Sequence, residues 1–300
     1  MNLRHGFADS ELGQIHYVEA GEGPVLVLLP HGGRSARMYQ RLMPLLARQR
    51  RIIAFDIPGT GYSATPARAY GIPELAKFVV QAIDSMGIGR FALYGMNGGN
   101  KIGSAIAAAY PERVTAFIFA GLTHSIVLSK ARRERTLGEH PQVQKILGAA
   151  VGAEVPTDWV DQLAEATAVD AKVTEDPYDT VGLVVERLQS FLYRPRFYQA
   201  TIAFDLEKAL RRVRSPLFVL EFATRQEDAE IGRQAASIAT ELNATAHAVM
   251  ELAPQGLLSL EDRAQDLASV IGGFLDRSGG PTRTRRVRRR DGGGRGKYLL

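Results

Sequence analysis

The residues best placed to do chemistry lie in "FALYGMNGGNKIGSAIAAAYPERV", residues 91–114. An apolar run meets a bend rich in glycine (Gly95, Gly98, Gly99), which opens straight into a helix of small residues. Asn97 stands in the middle of that bend. An amide is neither a useful nucleophile nor a base. It can orient a ligand hydroxyl or carbonyl by hydrogen bonding, it can be a bland replacement in an inactive turn, or, because glycine follows it, it can deamidate to an aspartate. Strand, glycines and helix are also the parts of a phosphate-cradling loop. Here, however, the glycines follow a late strand, and no acidic residue stands at the distance expected for a ribose contact. Two further groups could face a ligand. Arg34 could meet an anionic or phenolic group. "SFLYRPRFYQ" gathers Phe191, Tyr193, Phe197 and Tyr198, with Trp159 on another predicted helix. Aromatic residues so spaced either pack a core or line a site for a flat, largely apolar ligand.

The elements that would position these residues alternate. "QIHYVEAG" and "PVLVLLPHGG" read as early strands, a helix is expected over about 36–47, and "RIIAFDIPG" is the next strand. A helix from Pro73 to Met86 precedes the strand "RFALYG", the helix after the bend runs to about Tyr110, and "VTAFIFAGL" is again a strand. Short apolar runs alternating with helices argue for a parallel sheet covered on both faces. From about 123 to 205 the pattern turns mostly helical, with no convincing buried strand. Alternation then resumes with the helix "DLEKALRRV", the strand "PLFVLEF", a helix near 229–242, the strand "HAVMEL" and a last helix ending at "GGFLD".

Bulk composition narrows the chemistry. There is no cysteine, which removes disulfides, thiolate metal sites and cysteine nucleophiles together. No cofactor motif and no metal-ligand cluster is visible. The start, "MNLRHGFADSELGQ", has no apolar core of a secretory signal, and no apolar run is long enough to span a bilayer, so a soluble cytoplasmic protein without a membrane partner is expected. The net charge of +5 misleads. From Arg277 onward the chain is net +8, which leaves the rest at −3. The segment "RSGGPTRTRRVRRRDGGGRGKYLL" offers nothing to bury, so 277–300 is expected to be a disordered basic tail. Weak contact of that tail with nucleic-acid phosphates is the most that this charge implies. The sequence does not give an oligomeric state.

Four segments in order resemble one family. "LLPHGG" resembles the His-Gly oxyanion loop after the third strand of α/β-hydrolase-fold proteins, and "AFDIPGTGYS" resembles their Asp-x-Pro-Gly-x-Gly-x-Ser segment after the fourth. "LYGMNGGNKIG" resembles the nucleophile elbow, and "AAAYPERVTAFIFAG" resembles the segment after that elbow. The resemblance covers about residues 12–276. It implies a mostly parallel eight-stranded sheet with helices on both faces, a core made of 1–122 and 206–276, and an inserted helical cap at 123–205. It also implies backbone donors for a developing oxyanion at Gly98 and in the oxyanion loop at Gly33, with Asn97 where the nucleophile belongs. Met96, Arg34, Trp159, Tyr193, Phe197 and Tyr198 would then be ligand contacts, and His124, just after a strand, could reach the site. His31 is implied to be a structural histidine of its loop, and Asp56 to hold the "DIPG" turn.

The triad pattern is broken. The acid position after "PLFVLEF" falls near Arg225, with Glu227 or Asp228 serving only if the loop is longer. Gly256 falls at the histidine position and Glu261 at the acid that comes after it. No histidine follows His247, which lies inside a predicted strand. A triad enzyme stripped of its triad keeps only about 10³–10⁴ over water. The expectation is therefore a cofactor-free, non-hydrolytic tailoring enzyme acting on a hydrophobic or aromatic small molecule by positioning and oxyanion stabilisation. Cyclisation, carbon–carbon bond formation, epoxide opening and elimination all fit. A non-catalytic small-molecule-binding protein is one alternative, and a hydrolase with a relocated histidine base, His124 or His247, is the other.

Overall fold

A computed structural model describes residues 2–121, 177–223, 228–252 and 256–278. His124, Trp159, Arg225 and Glu227, and most of the segment expected to form a cap, lie outside the described residues.

Eight strands form one sheet in the order β1-β2-β4-β3-β5-β6-β7-β8. They are β1 (Arg4–Ser10), β2 (Gly13–Ala20), β3 (Val25–Leu29), β4 (Arg51–Phe55), β5 (Phe91–Met96), β6 (Val114–Ala120), β7 (Leu217–Ala223) and β8 (Ala246–Glu251). The β1–β2 and β2–β4 pairs are antiparallel, and every other pair is parallel. Strands β5 and β7 are buried at every position, as the continuous apolar runs predict. Alternate residues feed two cores. Val27, Leu29, Ile53, Phe55 and Leu93 pack under α2 (Ile72–Ser85) and α3 (Gly98–Ala109). On the other face Leu26, Leu28, Ile52, Ala54 and Tyr94 pack with the short α1 (Met43–Leu46) and residues of the last helix. The eight-stranded, mostly parallel architecture expected from the sequence is present.

Three local expectations change. The helix anticipated over 36–47 is broken into a 3-10 turn, Ala36–Tyr39, and α1. Pro44 explains the break: it suits the first turn of a helix, but it has no N–H to bond back and extend one. Only five residues of "DLEKALRRV" form a helix, α6 (Leu206–Leu210), whose first turn is capped by Asp205 accepting from the Lys208 amide at 3.1 Å. The last helix, α8 (Ala264–Ser278), runs past Asp276 and takes in the first two residues of the expected tail. Between these lie α4 (Pro177–Ser190), α5 (Arg194–Ala203) and α7 (Asp228–Glu241). Among the described residues no helix is long and apolar enough to cross a membrane.

An ionic clamp fixes α4 over the end of β3. Arg34 Nε donates to Glu186 Oε2 at 2.6 Å, and Arg34 Nη2 donates to Glu261 Oε1 at 2.5 Å. Glu186 Oε1 also accepts from the Ser35 amide at 2.9 Å and the Ser35 hydroxyl at 2.5 Å. All three charged side chains are withdrawn from water, Arg34 at 12% exposure and the carboxylates at 2% and 6%. Burial pushes the Glu261 carboxyl above its ordinary value, against the pull of Arg34. Burial alone would depress the Arg34 guanidinium, but the two carboxylates hold it above its ordinary value.

Removing one member of a buried ion cluster strands the others. Arg34→Met should lower stability by about 3–5 kcal/mol near neutral pH, read from the urea midpoint. A carboxyl whose folded pKa is raised costs stability as pH rises through that pKa. The loss in the variant should therefore shrink in acid, where Glu261 takes up a proton. An equal loss at both pH values would contradict this account.

Candidate functional site

The centre of the site is the junction of β5 with α3. Asn97 takes φ 46° and ψ −105°, a backbone conformation that L side chains rarely adopt. Its N–H donates to Ala120 O at 3.0 Å, and its carbonyl accepts from the Asn100 amide at 3.2 Å and from Lys101 Nζ at 3.3 Å. The turn closes only because its glycines are bare. A Cβ on Gly95 would stand 2.6 Å from Gly99 O, and one on Gly99 would meet the carbonyls of Leu29 and Pro30. Asn100 then fastens the neighbouring strand, its Nδ2 donating to Ala120 O at 2.8 Å and Gly121 O at 2.9 Å.

The Asn97 side chain is 3% exposed, and neither Oδ1 nor Nδ2 has a hydrogen-bond partner. Its Oδ1 lies against Gly121, where a Cβ would collide with it. Burying an amide without partners costs about 1–3 kcal/mol. A strained backbone at the same residue costs about 1–3 kcal/mol more.

The loop after β3 brings Gly32 to the elbow. A Cβ on Gly98 would stand 3.0 Å from the Gly32 amide nitrogen. At Gly33, expected as an oxyanion donor, the carbonyl accepts from Ser190 Oγ at 3.1 Å, and the residue packs on the Arg194 side chain. Phe197 is buried with its ring over both Gly32 and Gly98, and so covers the place where the two loops approach. Tyr193 packs instead on Gly59 of the "DIPG" turn, and its buried hydroxyl has no hydrogen-bond partner. Tyr198 is half-buried near Arg194, and burial raises its phenol above the ordinary value. Met96 belongs to the sheet core beside Tyr94 and Ile118, because its position in β5 points it away from the turn; it is not a ligand contact. Arg34 is not available to an anionic ligand either, since two carboxylates already hold it.

The described histidines do not supply a base to Asn97. His31 Nδ1 lies 2.6 Å from Gly32 O, which makes it the donor there, and burial lowers its pKa to about 4. His247 is exposed on β8, opposite Val219. Asp56 holds its turn by accepting from the Ala36 amide at 2.7 Å and the Tyr62 amide at 2.8 Å, and it also pairs with His16 Nδ1 at 2.8 Å. Asp228 begins α7, and Gly256 begins the 3-10 turn Gly256–Arg263 that carries Glu261 to Arg34. Among the described residues no group of three or more His, Asp or Glu side chains could hold a metal ion.

Besides Glu186 of the ionic clamp, sequence reading missed two buried charges. Lys101 lies four residues after Asn97, hence on the same helix face, and is 6% exposed; a lysine inside "GGNKIGSAIAAA" was the available signal. Glu221, inside β7, is 2% exposed and accepts from the Phe222 amide at 2.9 Å.

A sequence-family model described as "alpha/beta hydrolase fold" matches residues 24–138. The chain is 31% identical over 222 residues to a pyrrolizixenacetamide deacetylase of Xenorhabdus hominickii, covering 69% of this chain and 76% of that protein. It is 33% identical over 112 residues to haloalkane dehalogenase 2 of Mycobacterium tuberculosis, covering 37% of this chain and spanning 39% of the dehalogenase's length. Among solved structures a Vigna radiata epoxide hydrolase mutant superposes with a TM-score of 0.69 at 15% identity, covering 92% of this chain and 99% of that one. That last likeness speaks for the fold alone.

Two measurements check this geometry. Glycine accepts positive φ and has no side-chain amide to bury, so Asn97→Gly should raise stability by about 1–3 kcal/mol, seen as a higher urea midpoint. An unchanged or lower midpoint would mean the turn is not strained. His31 protonates at about 4 when folded, against 6.5 for a free histidine. Its contribution is therefore complete above pH 6.5 and is lost as pH falls toward 4. The loss amounts to about 3 kcal/mol, and His31→Gln should be that much less sensitive to acid.

Proposed function

The chain belongs to the α/β hydrolase fold family, and we propose that within it the Asn97 site works without a nucleophile–histidine pair. In this reading the protein is a cofactor-independent enzyme acting on a hydrophobic or aromatic small molecule. The carrying observation is the Asn97 amide: buried, unpartnered and raised on a strained turn at the start of α3. A group with two idle hydrogen-bonding atoms at the centre of the elbow suits a ligand that supplies an acceptor and a donor. The Gly98 amide at the helix start, with the Gly32 amide beside it, supports stabilisation of charge that develops on a ligand oxygen. Phe197 and Tyr198 on α5 offer an apolar, aromatic wall, and the segment at 123–205, expected from the sequence to be helical, would close over it as a cap.

Such a site accelerates reactions that need orientation and an electrostatic partner more than a proton-transfer chain. Cyclisation, carbon–carbon bond formation, epoxide opening and elimination are the candidates. A hydrolytic reading has its own support in the 31% identity to a deacetylase. It would need a base from outside the described residues, His124 being the candidate in this sequence.

One variant separates the two. Apolar and aromatic small molecules would be screened by thermal shift, with conversion of each hit followed by mass spectrometry alongside a panel of acetamides, esters and epoxides. Asn97→Ala should bind hits at least about tenfold more weakly, or turn them over about 10²–10³ more slowly, as when one oxyanion donor is lost. Hydrolysis of the panel that survives in Asn97→Ala would overturn the proposal in favour of the hydrolytic reading. Binding of a hit with its mass unchanged would reduce the protein to a carrier.

A further inference from the structure

The same turn that raises Asn97 also sets its backbone in the geometry of an intramolecular reaction. We infer that the Asn97–Gly98 link is a self-modification site: the folded chain converts the amide to a carboxylate through a cyclic imide. This inference does not rest on the proposed activity. It holds whether Asn97 or its acid form meets the ligand.

Three observations carry it. Asn97–Gly98 is the one Asn-Gly pair in the sequence, and glycine leaves the attacking nitrogen unshielded. The dihedral angles, φ 46° and ψ −105°, are those of the first central residue of a type II′ turn. That turn mirrors type II and so has ψ at about −120°. There the Cα–Cβ bond eclipses the bond from C to the next nitrogen, which puts Cβ, Cα, C and the Gly98 nitrogen nearly in one plane. A five-membered imide ring needs that arrangement, and helical backbone would forbid it. Asn97 precedes the first helical residue, so the helix does not stand in the way.

The third observation is electrostatic. Lys101 Nζ donates to the Asn97 carbonyl at 3.3 Å. A cation on that carbonyl draws electrons from the peptide group and makes the Gly98 N–H more acidic, and the positive end of α3 stabilises the nitrogen anion. No hydrogen bond of Oδ1 or Nδ2 has to break for Cγ to turn toward that nitrogen.

In the first step the Gly98 nitrogen gives up its proton and bonds to Asn97 Cγ. The Cγ–Nδ2 bond breaks, and ammonia departs with the proton. In the second step water opens the ring. Attack at Cγ restores the main chain and leaves an aspartate, while attack at the main-chain carbonyl leaves an isoaspartyl link. The balance is one water consumed and one ammonia released. The aspartate would stand at the N-terminus of α3, where negative charge is favoured.

The test is to incubate the purified chain in heavy-oxygen water, folded in buffer and unfolded in urea, and to follow the peptide containing Asn97 by mass spectrometry. Acid carrying the heavy isotope, or the imide short of one ammonia, should accumulate in the folded chain about tenfold or more faster than in the unfolded one, as expected of a pre-oriented intramolecular attack. Lys101→Met should slow the folded reaction toward the unfolded rate. Conversion no faster in the folded chain than in urea, or an amide that persists in both, would overturn the inference.

Discussion

The arrangement depends first on the turn between β5 and α3. Its positive φ at Asn97 is what lets a buried parallel strand reverse straight into a helix without a connecting loop. The rest of α3 must then lie close on the sheet: Ile102 and Ile106 bury in the core there, and glycines stand where the helix backbone comes nearest. Gly95 and Gly99 touch backbone, and a Cβ on Gly103 would stand 2.8 Å from the ring of Phe117. One strained residue therefore sets the direction of the helix, and a row of small residues lets the helix follow that direction. The polar groups that remain on the helix are spent locally: Asn100 ties down the end of β6, Ser104 donates back to the Asn100 carbonyl at 2.7 Å, and Lys101 reaches the Asn97 carbonyl.

A second constraint ties α4 to this turn from above. The loop after β3 cannot move far, because Arg34 links it to Glu186 on α4 and to Glu261 before α8. Ser35 and Ser190 add hydrogen bonds across the same junction. These charges face one another in a medium of low polarizability, so the cluster tolerates only the complete set. The aromatic contacts of α5 are subordinate to it. Phe197 rests on Gly32 and Gly98, and Tyr193 on Gly59, because α4 and the loop have already been brought together.

Much of the fold was legible because parallel strands buried on both faces read as unbroken apolar runs, and because the elbow glycines punctuate a distinctive junction. Asn97 could be found for the same reason. What escaped was set by partners distant in sequence. Arg34 looked like a ligand contact because nothing near it in the chain announces Glu186, 152 residues away, or Glu261, 227 residues away. Met96 adjoins Asn97 in sequence but points to the opposite face of the sheet, a consequence of the two-residue period of a strand. The approach of Gly32 to Gly98, and the bond from Ser190 to the Gly33 carbonyl, are set by how the loop packs on α4 and α5, which sequence spacing does not reveal.

Buried polar atoms without partners occur elsewhere in this chain, among them the hydroxyls of Tyr94 and Tyr193. A tyrosine brings a large apolar ring into the core, and that ring offsets a stranded hydroxyl. Asn97 brings no such compensation. It carries two unpartnered atoms on a short side chain, and it carries them in a backbone conformation that glycine would adopt at less cost. Around it the neighbouring polar groups of the turn are bonded: its own N–H and carbonyl, and the amide of Asn100. A residue that costs stability twice, at a position where the fold itself could use glycine, is better explained by what its side chain meets than by what it holds together. The strain and the idle amide then have one physical origin, a turn whose backbone holds the Asn97 side chain away from the groups that would satisfy it.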